Sequence, residues 1–164
     1  VHGRTRCQFY KGHADWAAIA DTVNAVDVPV IANGDILCAQ DALAAKTAAG
    51  AYGVMIGRAA MGQPWLIAEI AARLTGKSFV RPSLAQQLDA LCEQIEDSVA
   101  LYEGHLGLRI VRKHIAAHVD KVDLPLSEYE RRHIRASLCR MNEVSALLAE
   151  LEELYSNSGV RVAA

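Results

Sequence analysis

The chain has 164 residues, 52% hydrophobic and 22% charged, with a formal net charge of -2. This balance excludes a disordered polymer and a surface that attracts nucleic acid everywhere, although a local basic patch remains open. The length suffices for one good core or two small ones.

No uninterrupted apolar run approaches the roughly 18 residues needed to cross a bilayer, and nothing reads as a signal peptide. Cys7, Cys38, Cys92 and Cys139 lack CxxC spacing and metal-site neighbours, which predicts free thiols in a reducing cytoplasm. Val1-His2-Gly3-Arg4 reads as the carboxyl end of a strand that starts upstream, and with no initiator Met the chain is expected to be a fragment.

A polar loop through Tyr10-Lys11-Gly12-His13 leads to a helix predicted over Asp15 to Ala25, where Trp16, Ile19, Ala20 and Val23 repeat at helical spacing. Val28 to Ala32 is a short apolar run opened by Pro29 and closed by Asn33-Gly34-Asp35. A helix over Ala39 to Ala49 follows, stopped by Gly50. The run Gly53 to Ile56 ends at Gly57-Arg58, and a third helix is expected from about Pro64 to Gly76. Neither strand alternates, so both read as buried parallel strands of a sheet covered on both faces. Repeated βα units predict a parallel sheet, as a barrel or doubly wound.

From Gly76 to Pro82 the composition turns to Gly, Lys, Ser, Arg and Pro, and no strand-like run appears beyond it. Ser83 with Gln86 forms a capping box for a helix carrying Leu84, Leu88, Leu91, Ile95 and Val99 to about Tyr102. A second helix is expected over Leu108 to Asp120. Ser127 with Glu130 caps a third, and Asn142 begins a fourth with Val144, Leu147, Leu148, Leu151 and Leu154. Four amphipathic helices with short links predict a small bundle. Boundaries follow at 1–76, a linker at 77–82, a helical part at 83–155 and a frayed tail at 156–164.

Glycine at a strand end lets backbone approach a ligand, and an adjacent Arg offers a forked cationic donor. Asn33-Gly34-Asp35 and Gly57-Arg58 end consecutive strands, which suits the phosphate site at the last two strands of a βα barrel. The alternative is a pair of structural turns, with Asp35 capping a helix and Arg58 paired at the surface. His2, Gly3 and Arg4 would line the same mouth, with His2 near a cofactor ring and Arg4 or Arg6 on an anion; a rim histidine and solvated arginines fit as well.

In the helical part, His105 to Val119 contains Arg109, Arg112, Lys113, His114 and His118 and no acid. Arg131, Arg132, Arg135 and Arg140 form a second acid-free run, while acids gather in the first and last helices. Such segregation makes either a phosphate-binding face or an ordinary solvated one. His114 and His118 lie at i, i+4 without the Glu of H-E-x-x-H or a third ligand, so no metal site is expected. Cys7 borders the mouth, with no base beside it in sequence.

The motifs Val1-His2-Gly3-Arg4-Thr5-Arg6, Gln8, Tyr10, Gly12, Ala14-Asp15-Trp16, Val28 to Ile36, Val54 to Ala60, Gly62-Gln63-Pro64-Trp65 and Leu108 to His114 together resemble the tRNA-dihydrouridine synthases, most closely their bacterial B-type branch. The resemblance implies an α/β fold: the carboxyl-terminal part of an FMN-binding (β/α)8 TIM barrel, followed by an all-α helical domain that grips tRNA. It implies that Asn33, Gly34, Asp35, Gly57 and Arg58 hold the phosphate side of FMN, that His2 approaches the flavin, and that Arg109, Arg112 and Lys113 contact RNA. The implied reaction is NADPH-dependent reduction of the uracil C5–C6 double bond in tRNA by a cytoplasmic, monomeric flavoprotein. The family's acid cysteine and flavin-binding lysine belong to the first half of the barrel, and none of the four cysteines here matches that motif, so no catalytic acid is named. The chain by itself is expected to be inactive and to bind FMN poorly. Two other readings stay open: another flavin- or phosphate-binding barrel oxidoreductase, and a noncatalytic RNA-binding module.

Overall fold

A computed structural model describes residues 1–9, 11–102 and 105–159. Tyr10, one of the motif residues above, and residues 160–164 of the expected tail lie outside the described residues. In chain order the helices are α1 (Ile19–Ala25), α2 (Ala39–Ala49), α3 (Leu66–Leu74), α4 (Leu84–Tyr102), α5 (His105–Lys121), α6 (Glu128–Leu138) and α7 (Val144–Asn157). Two strands, β1 (Ile31–Asn33) and β2 (Gly53–Met55), pair in parallel, so the described chain is mostly helical with a small parallel sheet. None of its helices is long and apolar enough to cross a membrane. The chain divides into two compact units, one of Val1–Ala60 with Pro64–Arg81, the other of Met61–Gln63 with the chain from Pro82 onward.

In the first unit the ladder pairs Ile31 with Gly53, Ala32 with Val54 and Asn33 with Met55. The opening residues extend it on the other side: the Val1 amino group donates to the Ile31 carbonyl at 2.7 Å, Asn33 N to Val1 O at 2.9 Å and Gly3 N to Asn33 O at 2.9 Å. The ladder begins at Ile31 rather than at Val28, which is 68% exposed and outside the paired stretch. Alternate strand residues face opposite sides. Ala32 is fully buried with Ile19, Val30, Ala49 and Ala51, whereas Ile31 is 40% and Met55 57% exposed. The expectation of a sheet covered on both faces is thus corrected, since in this chain packing covers only the Ala32 side.

The alanine face of α2 (Ala42, Ala45, Ala49) is fully buried, and Ala42 and Ala45 pack with Ile36, Leu66 and Ile70. Small side chains there bring the helix close to its neighbours. Gly50, at φ 60°, ends α2 in the left-handed conformation, with Ala51 N donating to Lys46 O at 3.1 Å. Helix α1 starts four residues later than Asp15, because the Asp15 carboxylate accepts from Ala18 N (3.0 Å) and the indole N–H of Trp16 donates to Gly34 O (2.7 Å). The segment between them is therefore a turn. Similarly, Pro64 lies in a turn before α3, accepting from Ile67 N at 3.2 Å.

The second unit packs α4 to α7 around Leu88, Leu91, Ile95, Leu108, Val111, Ile115, Leu147 and Leu151, all at most 3% exposed. Fully burying each such aliphatic side chain stabilises by about 1.5–3 kcal/mol before entropy is counted. Both capping boxes form. Ser83 N donates to Gln86 Oε1 (2.9 Å), and Ser127 N to Glu130 Oε2 (2.7 Å) with Glu130 N returning to Ser127 Oγ (3.3 Å). Helix α5 is longer than the expected 108–120. Its Gly107 sits where a Cβ would be 2.2 Å from Ser98 O, so only glycine permits the close approach of α4. At the far end, Ser156 and Asn157 remain within α7, past the expected start of the tail at 156.

Candidate functional site

The turn after β1 is over-determined. Gly34 has φ 120°, and a Cβ there would lie 2.7 Å from the Ala14 Cβ and 3.1 Å from His2 Cε1, so the ring of His2 packs directly on the glycine. Asp35 follows at φ 52°, a left-handed position that costs a non-glycine residue roughly 1–2 kcal/mol. Its carboxylate explains how that cost is met. Arg4 donates at 2.8 Å and pairs at 2.6 Å, and Ala14 N donates at 2.8 Å. The Arg4 hydrogen bond is the chief reason the Asp35 carboxyl titrates below its ordinary range.

These bonds reassign two residues. Arg4 has a side chain only 6% exposed and also donates to Lys11 O (3.3 Å) and Gly12 O (2.6 Å), so it ties loops together instead of waiting for an anion. Asp35 orders this mouth and does not cap α2. The Arg58 guanidinium stands 3.9 Å from Asp35 Oδ1 with its side chain 65% exposed. Arg4 and Arg58 thus flank one carboxylate, Arg4 from the buried side and Arg58 from the solvent side. An added Cβ on Gly57 would meet no atom within 4 Å, so its backbone borders open space where a ligand can approach closely.

His2 joins the same mouth through a bridge to Asn33. Its Nδ1 accepts from Arg4 N at 2.9 Å, which leaves the proton of the neutral ring on the exposed Nε2. His2, Arg4, Thr5, Arg6 and Phe9 line a cavity of about 270 Å³. The structure therefore brings His2, Asn33, Gly34, Asp35 and Arg58 to the strand ends of one unit.

Arg109, Arg112 and Lys113 all lie on α5, but in different settings. Arg109 and Lys113 are exposed, four residues apart on one stripe. Arg112 is half-buried and donates to Met141 O (3.2 Å) and Asn142 Oδ1 (3.0 Å), holding the α6–α7 connection. Arg131, Arg132 and Arg135 of the second basic run are on α6, which packs beside α5, and Arg140 lies past its end. On that helix Arg131 donates to the carbonyls of Val119 (2.6 Å), Val122 (2.9 Å) and Leu124 (2.8 Å), capping the end of α5, and Arg135 Nη1 donates to both carboxylate oxygens of Asp120 at 2.7 and 2.8 Å. Arg132 is exposed.

His118 was visible in the sequence only as half of an i, i+4 pair, and its place is a buried anchor. It is 2% exposed, its Nδ1 donates to Gly62 O (3.0 Å), and its Nε2 accepts from the Tyr155 hydroxyl. Burial pushes its pKa down and the Tyr155 phenol up. Lys121 Nζ adds a bond to Met61 O at 2.7 Å. No local sequence signal pairs residues 56 positions apart. Among the described residues, no group of three or more His, Cys, Asp or Glu side chains could hold a metal ion. Burial raises the Cys92 thiol to about 11 and also raises Cys139, so neither supplies thiolate near neutrality.

A family model described as Dihydrouridine synthase (Dus) matches residues 1–156. The chain is 44% identical over 157 residues to the probable tRNA-dihydrouridine synthase of Rhodobacter capsulatus, covering 95% of this chain and 46% of that protein. It is 42% identical over 158 residues to the probable tRNA-dihydrouridine synthase of Rickettsia conorii, covering 96% and 46%. Against the tRNA-dihydrouridine synthase B of Xanthomonas axonopodis pv. citri it is 47% identical over 116 residues, covering 70% and 35%. The chain thus spans about half the length, or less, of these curated relatives.

Proposed function

The chain belongs to the dihydrouridine synthase family, and from that premise we propose that it is the carboxyl-terminal portion of a tRNA-dihydrouridine synthase, a cytoplasmic, monomeric flavoenzyme that reduces uridine in tRNA. The observation that carries the reading is the family match across residues 1–156. In this reading residues 1–76 are the closing βα units of an FMN-binding (β/α)8 barrel. Residues 83–155 are its helical tRNA-binding domain.

Asn33, Gly34, Gly57 and Arg58 hold the phosphate side of FMN. Open space beside Gly57 and the outward charge of Arg58 support this, and Asp35 keeps Arg58 and Arg4 in register. His2 offers its Nε2 proton to a polar atom of the flavin ring. FMN, when bound, supplies the hydride for the uracil C5–C6 bond, with NADPH as the source of electrons. The chain's own residues bind and orient, and none of them is assigned as the acid.

Reaching a base inside tRNA requires unstacking, at a few kcal/mol. Phosphate binding along the α5 face offsets that cost, and the exposed Arg109 and Lys113 are the residues for it. Arg112 supports the same face by fixing the connection beyond it. The test is a salt series of tRNA binding by the chain and by Arg109→Glu/Lys113→Glu. The reading expects affinity to fall linearly with salt on logarithmic axes. It expects the double variant to bind more weakly, with a slope lower by about 1 for each phosphate no longer neutralised. Salt-independent binding, or an unchanged slope in the variant, would overturn it.

A further inference from the structure

We propose that the cavity between α4 and α5 receives one unpaired guanine base of the bound RNA, with the Asp97 carboxylate reading its N1–H and N2–H donors; this rests on the tRNA-binding reading above. The cavity holds about 230 Å³, with Gln94, Asp97, Leu101 and Tyr102 of α4 facing Ile110 and His114 of α5. Ligand pockets for drug-sized molecules run from roughly 300 to 1,000 Å³. This one therefore admits a single ring system and leaves sugar and phosphate outside.

Its lip is apolar and exposed, with Leu101 at 73% and Tyr102 at 44%. A flat base covers such surface by stacking, as single-stranded RNA bases do on protein aromatics. The polar groups have an uneven character. Ser98 already donates its hydroxyl to Gly107 O at 2.9 Å, while Asp97 has no hydrogen bond or ion pair among the described residues. His114 titrates below its ordinary range through burial and the neighbouring Lys113 charge, so it stands neutral at pH 7.

A carboxylate only accepts. Of the four RNA bases, only guanine presents two adjacent N–H donors on its Watson–Crick edge; adenine and cytosine set an acceptor beside their amino group, and the single N–H of uracil lies between two acceptors. Asp97 and the exposed Glu93 and Glu96 beside it on α4 would repel RNA phosphate, and α5 supplies the counterweight. At 100° per residue, the exposed Lys113 and Arg109 form the next row round the helix from Ile110 and His114. A base in the cavity thus has its flanking phosphates beside two cations.

The experiment titrates the isotopically labelled 164-residue chain with GMP, AMP, CMP, UMP and inorganic phosphate, following the Tyr102 and His114 signals by NMR. GMP is expected to shift both, binding at least about fivefold more tightly than the other nucleotides, the lower end of what a bidentate base contact discriminates. Phosphate alone should move only the Arg109 and Lys113 region. Asp97→Asn, at an exposed helix position, should keep the circular dichroism and lose the preference. Equal binding of all four nucleotides, or a preference that survives Asp97→Asn, overturns the pocket. A parallel titration with tRNA separates the two ideas. Salt-dependent tRNA binding without guanine preference removes the pocket alone, whereas guanine preference without tRNA binding supports the pocket and removes the tRNA reading.

Discussion

Gly62→Ala tests how the helical unit holds Met61–Gln63. The residue sits at φ 73°, where a side chain costs roughly 1–2 kcal/mol. A Cβ would also lie 2.3 Å from His118 N and 2.4 Å from the Ala117 carbonyl carbon. Those are backbone atoms of a packed helix and cannot yield, so the segment must lift. Lifting breaks the bond between Gly62 O and the buried His118 Nδ1, and an unsatisfied buried group costs about 1–3 kcal/mol. The Lys121 bond to Met61 O adds little, because water replaces it at a half-exposed site. The expected loss is therefore about 2–5 kcal/mol, a large part of a typical stability of roughly 5–15 kcal/mol.

Urea unfolding measures it with two probes. Trp16 and Trp65 are the chain's only tryptophans and both lie in the first unit, so their fluorescence reports that unit, while circular dichroism is dominated by helices α4 to α7. The dichroism midpoint should fall at unchanged slope. Gly57→Ala is the control, since open space surrounds it, and it should stay within about 0.5 kcal/mol of the parent. A Gly62→Ala midpoint as close to the parent as the control would refute the reasoning.

Three further outcomes follow from the same structure. The His118 pKa is depressed in the fold, so the unfolded chain takes up its proton first as pH falls; stability should be fully present above about pH 6.5 and decline below it in urea midpoints. Tyr155→Phe removes the hydroxyl donor to His118 Nε2 inside a packed site and should cost about 1–3 kcal/mol at neutral pH, read by the same dichroism. Arg131→Met deprives three carbonyls at the end of α5 of their charged donor and should cost roughly 1.5–3 kcal/mol; tRNA binding that loses salt slope in this variant would contradict its structural assignment.

What could be read directly from the sequence was local. The capping boxes at Ser83–Gln86 and Ser127–Glu130, the stop at Gly50 and the leucine spacing of α4 and α7 each depend on residues within a turn or two, so their chemistry is written in adjacent letters. The order of βα units and the motifs shared with the dihydrouridine synthases are of the same kind. Roles that depend on distant partners were not legible. Arg4 and Arg58 are both arginines beside glycine-rich turns, yet one is buried against Asp35 and two carbonyls and the other faces solvent. Arg109, Arg112 and Lys113 read as one basic cluster, and only packing against the α6–α7 connection separates the structural Arg112 from its exposed neighbours. His118 likewise stood out only by its i, i+4 spacing from His114, and its bonds to Gly62 and Tyr155 come from residues far off in the chain. Local letters determine which elements form and which side chains carry charge. Whether a charge is satisfied inside the protein or offered to a ligand is decided by what tertiary packing brings within hydrogen-bonding reach, because desolvation and pairing act through space and not along the chain.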